Sequence, residues 1–399
     1  MMSKPNYAAA HDTVRFTAKR FAMSPFLEKY RTPDIIFGAY AQRFYALTVG
    51  NDPVKGYWAL RRNAVLYDVP ERPIEIEGRD ALALFAKVFA RPLDTLKVGR
   101  GRYAIACLPD GGVLMDGIMF RLSDERYWYV QADGEFTTWL SGHAGGLDVS
   151  VRDPRAWVLQ IQGPKSLNIL SDLTDGALGD DFGYFHSTWV KLAGQEVYVS
   201  RTGWTGEMGF EIYVPYETVD CPALWDHLLE VGKPHGLIFD ALESMGIRRM
   251  EAGILDNGTD MDTAMTPFEA GLGPFIDMEM PGFIGREALL DADRSTLLVG
   301  LSCDTDVPFA GLEVFDGNKA VARMRAGGWS PYLDRGIGYV HFNEPGDWIG
   351  RELKLQTREG RQLPCRIVAL PFYDAEKRIP RGLDRAIPQG CPEPGRSSR

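Results

Sequence analysis

The texture of the chain breaks at Thr296. Beyond it, short alternating runs (LLVGLSC, GLEVFDG, IGYVHF, ELKLQT, LPCRIVALPF) are separated by Gly, Asp and Pro. That pattern builds an all-β domain, a barrel or a sandwich. Before the break, strands, helices and hairpins alternate irregularly, which favours an α+β arrangement over a doubly wound sheet. A chain of 399 residues has the length for two or three domains and a full-sized core.

Within the first part, YWALRRNAVLYDV (57–69) has helical spacing, and PIEIEG (73–78) alternates as a strand ending in a turn at Gly78. A helix is expected over 79–90. A hairpin is expected from 103–108 and 113–121 around the PDGG turn. A strand (127–131), a helix (135–144), strands at 149–151 and 157–162, and a helix from 164 to 173 follow. Segments 190–200 and 209–214 read as strands around RTGWTGEMG, and 219–235 and 241–251 as helices. Residues 252–285 are loop-rich. Residues 1–25 read as a polar arm, and the Pro/Gly/Arg-rich tail after Phe372 as extended or loose. Aromatics crowd 26–58, either as an irregular segment over the core or as one wall of a ligand pocket.

Lys plus Arg number 44 and Asp plus Glu 54, so the net charge is −10. That argues against non-specific nucleic-acid binding but leaves room for a local basic pocket. No run approaches the length of a membrane span, and MMSKPNYAAAHDTVRF has no apolar secretory core. Cys107, Cys221, Cys303, Cys365 and Cys391 are scattered without a CxxC, so neither a disulfide framework nor a cysteine zinc site is expected. A cytoplasmic location is the simplest expectation. There is no Walker motif, HExxH, GxSxG or post-strand GxGxxG, and the six histidines lack ligand spacing, so no metal is expected.

The chemistry must then come from acidic and aromatic residues. Asp116, inside the apolar run GGVLMDGIMF, is either exposed at a strand end or buried and paired. Glu211 and Tyr213 in GFEIYV share one strand face, opposite Phe210 and Ile212. A carboxylate there can accept two parallel N–H bonds from an amidine-like ring edge, or be a plain edge-strand Glu. Arg248 and Arg249 close a helix and can pair with Glu251 or with a ligand carboxylate.

The order of five stretches is more specific than any one residue. DGGVLMDGIMF, IQGPKS (161–166), SRTGWTGEMGFEIYVP (200–215), RRMEAGILDNGTDMD (248–262) with TPFEAGLGPFID (266–277), and FIGREAL (283–289) occur in sequence. Together they resemble the T-protein-like family of tetrahydrofolate-dependent methyl and aminomethyl transferases, over roughly 30–373. The resemblance implies a clover-leaf of two interleaved α/β folate-binding subdomains and a C-terminal β-barrel. Its division is an arm at 1–25, a folate-binding region at 26–285 with the second subdomain roughly at 76–150, a barrel at 286–375 and a tail at 376–399. It also implies tetrahydrofolate as cofactor, Asp116 as the catalytic carboxylate, and Glu211 on the pterin edge with Tyr213 against it. Arg249 falls near the folate, with Arg248 as its alternative, Tyr184 or Phe185 on an aromatic wall, and Gln131 where T-proteins often carry Asn.

Within the family, DVPERPIEIEG (68–78) in place of DVSHMG, the GFEIYV form and PFYDAEKRIPRG look more like the dimethylsulfoniopropionate demethylase branch. The aromatic segment also resembles relatives that remove methyl from aromatic ethers. The expectation is therefore methyl transfer from a small donor to N5, with Tyr30, Tyr40, Phe44 and Trp58 as a cation–π wall. The alternative is the aminomethyltransferase of glycine cleavage, which works with a lipoyl protein. A non-catalytic folate-binding module is disfavoured by the intact Asp116 and by the lack of a KGCYxGQ motif. A monomer and a homodimer are equally compatible with the sequence.

Overall fold

The computed structural model describes residues 19–390. Most of the expected arm, the end of the tail and Cys391 lie outside the described residues. Three sheets frame the molecule. A six-stranded sheet runs in the order Ser187–Leu192, Gln195–Ser200, Gly209–Pro215, Ala156–Gln162, Ala64–Val69, Leu237–Phe239. Its last pair is parallel and the others are antiparallel. An antiparallel five-stranded sheet has the order Arg100–Cys107, Val113–Arg121, Arg126–Gln131, Arg72–Glu77, Ser150–Arg152.

The whole five-stranded sheet is inserted between two adjacent strands of the six-stranded one. The chain passes from Val69 in one sheet to Arg72 in the other across only Pro70 and Glu71. The sheets pack through Tyr67, Val158, Tyr198 and Tyr213 on one side and Phe120, Trp128 and Val130 on the other. This buries large rings with edge-to-face contacts such as Phe120–Tyr213 at 5.8 Å. The helices Ser166–Leu173 and Cys221–Gly232 cover the outer face of the first sheet, and Ala81–Val88 and Thr137–His143 that of the second. The C-terminal strands, from Leu298–Cys303 to Gln362–Val368, close into a six-stranded barrel filled by Leu301, Met324, Val340, Leu355 and Ile367. Closure leaves no open sheet edge, and it settles the choice between barrel and sandwich.

Three local expectations need correction. The helix expected over 57–69 is the helix Pro53–Arg62, capped by Asp52, followed by the strand Ala64–Val69. AVLYDV is buried along its whole length between two neighbouring strands, and such a run has no periodicity that separates strand from helix. The strand expected over 190–200 is a hairpin, because Ala193 and Gly194 both take positive φ (48° and 75°). The tail is not loose where it is described. Tyr373 donates a 2.5 Å hydrogen bond to Glu251, and Lys377 reaches a cavity wall.

Candidate active site

A cavity of about 450 Å³ opens where the two sheets meet the loop after the helix Leu242–Glu251. Asp116 reaches it from the strand Val113–Arg121 and is 8% exposed. Its Oδ2 accepts from the Tyr103 hydroxyl at 2.8 Å and its Oδ1 from Asn257 Nδ2 at 3.0 Å. Of the two readings the sequence allows, it is therefore buried and paired. Burial raises its carboxyl above the ordinary carboxylate range, while both hydrogen bonds pull it back down.

Glu211 lines the cavity from the other sheet and is 3% exposed. Its Oε2 accepts from Tyr213 (2.5 Å), Thr202 (2.7 Å) and Ser200 (3.3 Å). Its Oε1 has only a long contact with Gln160 Nε2 (3.4 Å). One oxygen is saturated by hydroxyls and the other stays available to a ligand. Burial again raises the carboxyl and the hydroxyls lower it. The RTGWTGEMG signature owes its glycines to close approach here. A Cβ on Gly203 or Gly209 would lie 2.1 Å from Gln162 Oε1, which itself accepts from Thr205.

The structure brings some expected residues together and separates others. Tyr184, Phe185, Gln131 and Tyr40 line the cavity with Asp116 and Glu211. The Gln131 amide donates to the carbonyls of Gly134 (2.7 Å) and Ala132 (3.2 Å), which braces the turn beside it. Tyr213 is not among the lining residues and acts on Glu211 through its hydroxyl.

Neither arginine lines the cavity. Arg249 pairs with Asp260, donates to the Ile254 carbonyl (3.1 Å) and stacks on Trp204 (5.0 Å). Arg248 pairs with Glu207 at 2.8 Å. Three of the four donor-wall aromatics also sit elsewhere. Tyr30 hydrogen-bonds Asp68 (2.8 Å) and stacks on Phe239, Phe44 packs on Phe21 and Phe37, and Trp58 lies under Arg62. A dense run of aromatics distributes itself over whichever apolar surfaces the fold offers, so nearness in sequence does not make one wall.

The cavity also holds residues that sequence reasoning did not single out: Glu71, Tyr103, Trp204, Asp256, Asn257, Phe275 and Lys377. Trp204, Asp256 and Asn257 lie inside the quoted motifs, and Glu71 lies in the unusual DVPERP segment, so the signal was present without a role attached. Lys377 had no signal in a Pro/Gly-rich tail. Burial lowers its ammonium, and Asp374 opposes that.

The model for the GCVT N-terminal domain matches residues 41–280, and that for the glycine cleavage T-protein C-terminal barrel domain matches 297–374. The chain belongs to the glycine cleavage T-protein family. Among relatives of this T-protein family member, the aminomethyltransferase of Streptomyces avermitilis is 36% identical over 80% of this chain and 89% of its own length. The aminomethyltransferase of Halalkalibacterium halodurans is 30% identical over 89% of this chain and 98% of its own. The glycine cleavage aminomethyltransferase T of Bartonella henselae superposes with a TM-score of 0.79 at 26% identity, covering 89% of this chain and 98% of that one.

The T-protein family transfers one-carbon units with tetrahydrofolate as cofactor, in agreement with the motifs. The finer expectation of the dimethylsulfoniopropionate branch is not what these relatives carry, since each is named an aminomethyltransferase. Among the described residues, no helix is long and apolar enough to cross a membrane.

Proposed function

We propose that this chain moves the carbon of a cationic donor to tetrahydrofolate, and that the donor is an aminomethyl group carried on a thiol: the carbon becomes the methylene bridging N5 and N10, its nitrogen leaves as ammonia and its sulfur as the free thiol. The observation that carries this reading is the convergence of Asp116 and Glu211, from two different sheets, on one cavity whose wall also carries Tyr184, Phe185 and Trp204. The residues fit a pteridine. The volume is in the range of small-ligand sites, the rings offer flat apolar walls, and Glu211 Oε1 has unused acceptor capacity for an amidine-like edge. When bound, tetrahydrofolate supplies the N5 amine that accepts the carbon.

The chain's own residues do the rest. Asp116 takes the proton that the attacking amine gives up, and its raised carboxyl makes it a better base than a solvated aspartate. Tyr103 and Asn257 hold it in one orientation. Holding acceptor and donor in one enclosed space supplies proximity and alignment. Four carboxyl groups (Glu71, Asp116, Glu211, Asp256) line the cavity against one ammonium, Lys377, which favours a donor with positive charge. An aminomethyl group, delivered on a lipoyl protein, meets that requirement, and the names of the relatives support it.

A second reading is methyl transfer from a sulfonium or quaternary ammonium. One observation favours it: the DVPERP departure puts the Glu71 carboxyl on the cavity wall near the ring of Tyr40, a pairing suited to an onium methyl. The experiment incubates the protein with tetrahydrofolate and, in turn, aminomethyl-lipoyl protein, dimethylsulfoniopropionate, glycine betaine, dimethylglycine and vanillate. Formation of 5,10-methylenetetrahydrofolate from the lipoyl donor is the expected result. Formation of 5-methyltetrahydrofolate from an onium donor replaces the first reading with the second. Absence of any folate product overturns both.

A further inference from the structure

Glu71 stands in the two-residue crossing between the sheets, half-buried and facing the cavity. Its two oxygens lie 3.2 and 3.4 Å from Gln160 Nε2, and Glu211 Oε1 lies 3.4 Å from the same nitrogen. Two carboxyls thus flank one amide. Gln160 is fully buried, and its Oε1 has no hydrogen-bond partner.

Among the described residues, no lysine or arginine hydrogen-bonds either carboxyl. Arg43, packed beside the crossing, directs both terminal nitrogens to the backbone carbonyls of Glu71 and Ala156, each at 2.7 Å. The other titratable groups that act on the pair are Tyr40, Tyr184 and Tyr213, with Asp116 and Asp256 on the same cavity wall. None of these five is a cation; the cations nearby are Lys377 on the cavity wall and Arg43, whose charge acts on Glu71 without a hydrogen bond to its carboxyl.

We propose that Glu71 and Glu211 hold one proton between them and together read the lactam edge of the pteridine, Glu211 accepting from its N–H donors through the available Oε1 and Glu71, as the neutral acid, donating to its 4-oxo group. This rests on the tetrahydrofolate reading above and names the residue that sets its ring specificity.

The physical reason is that two adjacent carboxylates with no cation bonded to either resist being ionised together in a buried wall. Burial raises the carboxyl of Glu71 well above the ordinary range and the charge of Glu211 raises it further, against the smaller opposing effects of the Gln160 amide and the Arg43 charge. The edge of a reduced pteridine presents an amine donor, an N–H donor and a carbonyl acceptor in order. A carboxylate serves the first two and repels the third, so an acid beside it completes the match. Glu71 is the candidate because Glu211 Oε2 is already saturated by three hydroxyls.

The test uses the full chain, with binding of 5-formyltetrahydrofolate measured from pH 6 to 9. Folic acid and aminopterin, which differ in the 4-oxo and 4-amino group, are then compared with each other. The wild type should prefer folic acid. Its affinity for the 4-oxo ligands should fall, by up to about tenfold per pH unit, once the pair loses its proton. Glu71→Gln keeps a donor without a titration, so it should bind within about threefold of wild type at pH 6 and lose the slope. Glu71→Ala should bind about tenfold more weakly at pH 6 and lose most of the 4-oxo preference.

A Glu71→Gln protein that keeps the wild-type slope overturns the proposal. So does a folded Glu71→Ala protein, checked by its melting curve, with unchanged affinity and preference. Wild-type protein that binds no folate at any pH overturns the tetrahydrofolate reading itself, which is a different outcome.

Discussion

Two clusters of buried charge lie close together in this fold and differ in one respect. In the first, Arg61 and Arg248 face Glu207 and Glu251, with Arg61 Nε 2.9 Å and Arg248 Nε 2.8 Å from Glu207. Tyr57 (2.7 Å), Tyr373 (2.5 Å) and Ser330 (2.5 Å) donate to Glu251. The cluster ties two helices, the RTGWTGEMG turn, the barrel and the tail together. In the second, Glu71, Glu211, Asp116 and Asp256 face the cavity with hydroxyl and amide donors but, among the described residues, no guanidinium bonded to Glu71, Glu211 or Asp116. Buried charge balanced by opposite charge joins parts of the molecule. Buried carboxyls left without a cation keep raised pKa values and unused acceptor atoms, which is what a proton-transfer and recognition site requires.

The largest expected effect tests the second cluster. Asp116→Asn keeps the shape and removes the base, so kcat should fall about 10³-fold while folate affinity and melting temperature hold. Steady-state turnover beside a binding titration checks this, and unchanged kcat would take Asp116 out of the chemistry.

Arg248→Met tests the first cluster. It leaves Glu207 with one partner fewer in a site where Arg248 is 1% exposed, and should cost about 3 kcal/mol in chemical denaturation. Stability within error of wild type would remove the contrast between the clusters.

Tyr103→Phe sharpens the comparison through pH. The active form of Asp116 is ionised, so activity is lost as pH falls through its raised pKa. Removing a hydrogen bond that favours the carboxylate should move the acid limb of kcat/KM up by about one unit. An unmoved limb would mean that Tyr103 does not tune the base.

The smallest effect concerns the aromatic segment. Trp58→Ala loses a stack with Arg62 at 4.3 Å and an edge-to-face contact with Tyr57 at 5.3 Å, so stability should drop by about 1 kcal/mol with the donor KM unchanged. Tyr40→Ala should instead raise the donor KM. A matching rise in Trp58→Ala would place the donor outside the cavity described.

Much of this was legible in the residues. Asp116 and Glu211 stood out because a carboxylate in an apolar strand must have a reason, and period-2 geometry put Tyr213 on the face of Glu211. The barrel was legible because alternation survives closure. The rest was not. Tyr30, Phe44 and Trp58 looked like partners of Tyr40 because they are near it in sequence, yet Tyr30 packs on Phe239, Phe44 on Phe21 and Phe37, and Trp58 on Tyr57 and Arg62 of its own helix. Arg248 and Arg249 looked like ligand residues because nothing local names the buried acids that occupy them, Glu207 and Asp260.

Residue type and order by themselves determined which family the chain joins, where its regular elements lie and which two carboxyls are unusual, because these depend on local pattern. Only the tertiary structure decided which charges are neutralised. Neutralisation is a matter of distances between residues far apart in the chain, such as Asp116 and Asn257 or Glu71 and Glu211, and no local spacing encodes it.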